Sequence, residues 1–196
     1  MTTELVEIPG YVAGTWTIDP VHSGVGFVIR HLMVSKVRGR FGTFEGTVVT
    51  GADPLGSEVT ASIDLASIDT GNSQRDEHVR AADFLDVAAH PTMTYRSTGL
   101  RHEGEGLVLD GELTLRGTTK PVALKLEVDG FGPDPFRQDD PFKGARVGFT
   151  ATGEINRLDF GVGDRGTVPG GALGLGEKVE IVLEIQAVLR TEPETA

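Results

Sequence analysis

The chain has 196 residues, a mass of 20.8 kDa and a formal net charge of −11. That length suits one sizeable core, while the charge argues against general affinity for nucleic acid or anionic membrane surfaces. The absence of cysteine excludes disulfide staples and thiolate chemistry.

From the N-terminus, residues 1–10 show neither the basic nor the apolar part of a secretory signal. No run reaches the roughly 18 apolar residues of a membrane-spanning helix. The expected location is therefore the cytoplasm, and one domain is expected over 1–196, with a folded body over about 15–190 and flexible ends.

Hydrophobicity then alternates with a period of two. Runs of this kind fall near 15–30, 37–50, 58–66, 91–98, 105–116, 121–129, 144–156 and 178–190. Between Asp19 and Glu45 no acidic residue occurs, while Arg30, Lys36, Arg38 and Arg40 lie inside that window. Lys36, Arg38 and Arg40 share one strand face opposite Val37, Gly39 and Phe41. That face reads either as solvated charge or as an anion-binding rim near the first hairpin.

After the third run, Ser73-Gln74-Arg75-Asp76 has the form of a capping box opening a helix near 73–80. A second helical turn near 81–86 is allowed, ended by His90-Pro91. Further along, Leu107, Leu109, Gly111, Leu113 and Leu115 share a face, as do Val147, Phe149, Ala151, Gly153 and Ile155. The segments 51–56 and 130–141 carry turn residues.

These are half-buried antiparallel strands, and long ones leave exposed edges unless the sheet closes. The expected fold is all-β, an antiparallel barrel of about eight strands with one short helical segment near 73–86. Such an interior holds one extended apolar ligand or is filled by its own side chains.

The familiar catalytic signatures fail on context. Gly161-Val162-Gly163-Asp164-Arg165-Gly166 matches a dinucleotide fingerprint in letters, but Thr167-Val168-Pro169-Gly170-Gly171 follows where a helix is required. His22, His31, His78, His90 and His102 form no close ligand pair. Ser23 lies outside any nucleophile elbow. No cofactor, metal or catalytic residue is expected.

Several motifs recur in a characteristic order. They are Asp19-Pro20-Val21-His22-Ser23, Gly39-Arg40-Phe41, Ser67-Ile68-Asp69-Thr70 and Arg75-Asp76-Glu77-His78. Asp83-Phe84-Leu85-Asp86, His90-Pro91, the run from Gly111 to Val122, and Ile155-Asn156-Arg157-Leu158-Asp159-Phe160-Gly161 continue them. In order and spacing the chain resembles the YceI-like family of polyisoprenoid-binding proteins, from about 15 to 190.

The resemblance implies a lipocalin-like barrel whose tunnel binds a long isoprenoid, such as a polyprenyl diphosphate or a quinone tail, with no assigned reaction. Storage or transport of that lipid is the expected role, without stable membrane insertion and with a homodimer as one assembly. Strand parity selects Phe27, Ile29, Phe41, Leu113, Val147, Phe149 and Ile181 as wall residues. The head-group candidates are His22, Arg30, His31, Arg75 and Arg157. Two other readings stay open: a stress-related or scaffold protein with a packed core, and an enzyme acting on a bound isoprenoid through His22, His31 or His78.

Overall fold

A computed structural model describes residues 8–136, 143–169, 171 and 173–190. Among these residues eleven strands form in chain order: β1 Gly14–Ile18, β2 Gly24–His31, β3 Ser35–Phe41, β4 Phe44–Thr50, β5 Glu58–Asp64 and β6 Ile68–Asp69 come first. After helix α1, Ser73–Arg80, follow β7 Thr92–Glu103, β8 Gly106–Leu115, β9 Thr118–Gly132, β10 Arg146–Asn156 and β11 Leu175–Leu189.

Every pairing between the named strands is antiparallel. The sheet runs β1-β4-β5-β7-β8-β9-β10-β11, and β11 returns to β1, so eight strands close a ring. Closure satisfies the edges that an open sheet would expose. The runs expected at 15–30 and 37–50 each occupy one position in this barrel, but each is broken into two strands, β1/β2 and β3/β4.

The first break has a local cause. The long strand β11 pairs with β2 through Glu184↔Gly24 and with β1 from Ala187↔Ile18 onward. Between them Asp19 N–H donates to Gln186 O at 2.8 Å, and Gln186 N–H donates to Ser23 Oγ at 2.9 Å. The Asp19-to-Ser23 motif thus carries the chain from one partner segment to the next.

The helix matches the expected 73–80 bounds, but its cap differs. Asn72, not Ser73, is the N-cap, accepting from Arg75 N–H at 2.9 Å. The buried Asp76 carboxylate accepts from Thr70 N–H at 2.9 Å and Thr70 Oγ1 at 2.5 Å, instead of reaching back to the cap. The segment 81–86 forms hydrogen-bonded turns, not a second helical turn. Residues Arg157–Phe160 make a 3-10 turn that the alternation pattern missed, and β9 continues through Gly132 into the stretch expected as loop.

The core has two parts. A large one runs through the barrel with Leu65, Leu109, Leu113, Leu124 and Phe160 among its buried members. A smaller one lies around Trp16, Ile18, Val48, Ala145, Val147 and Ala187.

Candidate functional site

An apolar cavity of about 380 Å³ runs through the barrel interior. That volume lies in the range of roughly 300–1,000 Å³ found for small-molecule sites. The wall alternates with the strands: Val25, Phe27, Ile29 and His31 contribute from β2, and Leu107, Leu109, Leu113 and Leu115 from β8.

Glycines on inward faces make space for the larger side chains. Phe27 lies opposite Gly39, and a Cβ at Gly39 would collide with the Phe27 ring. In the same way, a Cβ at Gly111 would collide with the Tyr95 ring. Tyr95 turns its hydroxyl toward Leu109 O at 3.2 Å and Val122 O at 3.3 Å. Burial pushes the phenol up to about 12 from 10.0.

The two ends of the cavity differ. At the end bearing the starts of β1 and β8, Tyr11, Phe131 and Phe149 line it, with edge-on ring contacts of Tyr11 and Phe149 to Phe131 at 5.3 and 6.4 Å. Trp16 packs behind them, fully buried, with its indole N–H on Thr50 Oγ1 at 2.8 Å. At the opposite end lie His31, Thr70, Arg75, Phe84, Arg157 and Leu175. His31 and Arg75 are exposed and also line the cavity, so it reaches solvent there; Glu45 is an exposed lining residue elsewhere, and Ser57 is a half-buried one.

Arginines brace the His31 end through backbone carbonyls. Arg157, only 3% exposed, donates to Gly176 O, Val162 O, Asp164 O and Leu175 O at 2.8, 2.7, 2.8 and 3.3 Å. Burial pulls its pKa down, while Asp164 and Glu177 act in the other direction. Arg80 holds Ala66 O and Ile68 O, each at 2.8 Å, and Arg116 reaches Phe84 O, Gly161 O and Ala82 O. Arg75 donates to Thr70 Oγ1 and Thr70 O, both at 2.7 Å. Unpaired loop carbonyls next to an apolar cavity would be costly, and guanidinium forks satisfy several at once.

Of the wall residues chosen by parity, Phe27, Ile29, Phe41, Leu113, Phe149 and Ile181 line the cavity. Val147 does not. It is 1% exposed and packs in the cluster with Trp16, Ala145 and Ala187. Of the head-group candidates, His31, Arg75 and Arg157 line the cavity, and most of the Arg157 fork is committed to backbone.

His22 and Arg30 lie elsewhere. His22 sits on the turn between β1 and β2 with Nδ1 2.8 Å from Asp19 Oδ2. Arg30 faces outward, since Ile29 and His31 take the inward parity. Tyr11, Phe44, Tyr95 and Phe131 were missed as wall residues. The alternation around 91–98 carried the signal for Tyr95, whereas Phe131 fell in a stretch read as loop.

The three histidines considered as acid or base separate. His78 pairs with Asp83 at 3.0 Å on the exposed side of α1, and His22 is on the outer turn, so only His31 of the three lines the cavity. Among the described residues, no three His, Asp or Glu side chains come together as a metal site. The Gly161–Gly166 segment begins with Gly161 at φ +68°, capping the 3-10 turn, and the next element among the described residues is β11, not a helix.

Comparison with known proteins gives this architecture its relatives. The profile of the YceI-like domain matches residues 16–187. Protein YceI of Escherichia coli O17:K52:H18 is 40% identical over 154 residues, covering 77% of this chain and 78% of that protein. The Salmonella newport protein of the same name is 38% identical over 181 residues, covering 90% and 88%.

Among solved structures, Burkholderia cenocepacia BcnA superposes with a TM-score of 0.71 at 23% identity, covering 86% of this chain and 98% of its own. A polyisoprenoid binding domain from Saccharophagus degradans, implicated in plant cell wall breakdown, superposes with a TM-score of 0.64 at 15% identity, covering 91% and 100%. These structures show a shared fold. The profile match and the two curated relatives show that the chain belongs to the YceI-like family.

Proposed function

We propose that this protein binds an extended isoprenoid lipid in the barrel and stores or carries it. The observation that carries the reading is the continuous apolar cavity, whose lining runs from Tyr11 and Phe131 at one end to His31 and Arg75 at the other. Burying a chain there stabilises the complex by about 0.8 kcal/mol per methylene, so retention requires few polar contacts. The polyisoprenoid binding domain of Saccharophagus degradans, with the same fold, supports an isoprenoid over other apolar chains.

The head group, a diphosphate or a quinone ring, sits at the end with exposed donors on His31 and Arg75. The tail runs toward Phe149 and Phe131. The chain's role is to bind, orient and keep water from the lipid, with no bond made or broken.

Native mass spectrometry of protein from its own host, followed by organic extraction, tests this. One isoprenoid of defined mass per chain is the expected result. Failure to retain added polyprenyl diphosphates and quinones after extraction would remove the function and leave the barrel standing.

A further inference from the structure

The hairpin joining β2 to β3 has an unusual composition for its geometry. Its turn closes with Val34 N–H on His31 O at 3.1 Å, and the two central residues, Leu32 and Met33, have φ of 50° and 60°. Turns with two positive φ values favour Asn-Gly, because a Cβ, and still more an apolar side chain, is disfavoured there. Here three consecutive apolar side chains occupy the tip and face solvent, with exposures of 40% for Leu32, 45% for Met33 and 84% for Val34. Leu32 N–H donates to Gly174 O at 2.9 Å, which ties the tip to the residue just ahead of β11.

Cations line the hairpin behind this tip, with the Arg30–Lys36 pair nearest to it. Arg30, Lys36, Arg38 and Arg40 lie on the outer faces of β2 and β3, in a segment without a carboxylate of its own. Glu180 comes across from β11 to Lys36 at 2.9 Å, and Asp69 from β6 to Arg40 at 3.1 Å. Arg30 and Arg38 keep no hydrogen-bonded carboxylate among the described residues. The Lys36 hydrogen bond holds the Glu180 carboxyl below the usual range, and Arg30 and Arg38 add to this through space.

We infer that the Leu32–Val34 tip and the Arg30/Lys36/Arg38 face dock on an anionic lipid bilayer. The apolar tip enters the headgroup boundary while the cations meet lipid phosphates. His31, at the base of the same hairpin, lines the cavity, so docking holds this end of the cavity against the membrane. The net charge of −11 does not forbid it. At physiological salt the screening length is about 8 Å, so the charges nearest the membrane decide the sign. The contact is peripheral and reversible, for three residues cannot span a bilayer.

Vesicle flotation with the delipidated full chain tests this independently of any bound isoprenoid. The protein should float with phosphatidylglycerol-containing vesicles and not with pure phosphatidylcholine. Arg30→Gln with Arg38→Gln should weaken binding by tenfold or more, given on the order of fivefold per surface cation. Val34→Asp should weaken it by at least about fivefold.

Leu32→Asn with Met33→Gly relieves the turn, so this variant should melt higher than the parent yet bind vesicles less. Refolding defects cannot imitate that pair of results. Absence of flotation by the parent at about 0.1 M salt, or equal flotation by every variant, would overturn the inference. Isoprenoid uptake from detergent should be unchanged in all of them, which separates this test from that of the binding function.

Discussion

The Phe27 ring lies over Gly39 on the neighbouring strand, in the space that a Cβ on residue 39 would need. The glycine lets an aromatic ring lie against the wall instead of standing across the cavity. Gly39→Ala should drive Phe27 inward or displace Thr70 Cγ2, which is 3.0 Å from that Cβ position. The expected cost is about 1–3 kcal/mol from overpacking. Lipid retained after purification should fall, and extraction with mass spectrometry measures it.

Thr50 is the polar centre of the end remote from His31. Its hydroxyl accepts from the Trp16 indole and donates to Val12 O at 2.8 Å. Thr50→Val keeps the shape but leaves a fully buried N–H without a partner, at about 1–3 kcal/mol. Thermal unfolding should drop by about 2–4 °C per kcal/mol for a domain of this size. An unchanged Tm would show that the bond contributes nothing.

Arg157 braces the connection between the 3-10 turn and β11 rather than waiting for a ligand. Arg157→Lys keeps the charge but cannot reproduce a fork shared among four carbonyls. A loss of about 3 kcal/mol is expected from hydrogen bonds to a charged group. Limited proteolysis should accelerate within 161–175 before it does elsewhere. Proteolysis at the parental rate would argue against the bracing role.

Tyr95 gives stability an alkaline dependence. Its folded-state pKa is raised from 10.0 to about 12, so the neutral phenol is favoured in the folded barrel. The contribution is fully present below 10.0 and is lost as pH rises toward about 12. Tyr95→Phe should cost about 1 kcal/mol at neutral pH and show a flatter decline above pH 10. Chemical denaturation across that window measures the slope.

Asp19 gives the opposite dependence at low pH. Its carboxyl is held below 3.8, first by the His22 hydrogen bond, then by Val21 N–H and Arg146, against the opposing effect of burial. A depressed folded-state pKa contributes stability above 3.8 that is lost as pH falls below it. Asp19→Asn should be destabilised by about 1 kcal/mol near neutrality, with the gap closing in acid. A constant gap across pH would assign the effect to packing.

Much of the barrel was legible because alternation is a local property. A residue two positions from Leu113 points the same way whatever the strand pairs with, so Leu109, Leu113 and Leu115 could be assigned inward together. Parity, however, separates inside from outside and says nothing about position along the axis. Val147 and Phe149 share parity, yet one is spent in the packing around Trp16 while the other lines the cavity. The arginine motifs were legible as motifs, but their partners are carbonyls up to 45 residues away, as for Arg116 and Gly161.

The sequence by itself determined the antiparallel strands, their number around the barrel, the helix at 73–80 and the single face shared by Lys36, Arg38 and Arg40. Those follow from side-chain periodicity and local capping, which need no knowledge of distant neighbours. Only the tertiary structure decided that β11 bridges β1 and β2, that Asn72 caps the helix, and that the Arg157 fork is spent on backbone. It also set an exposed apolar turn beside the cavity end lined by His31. Those depend on which segments meet across the closed sheet, where hydrogen-bond satisfaction and packing among remote residues select one arrangement.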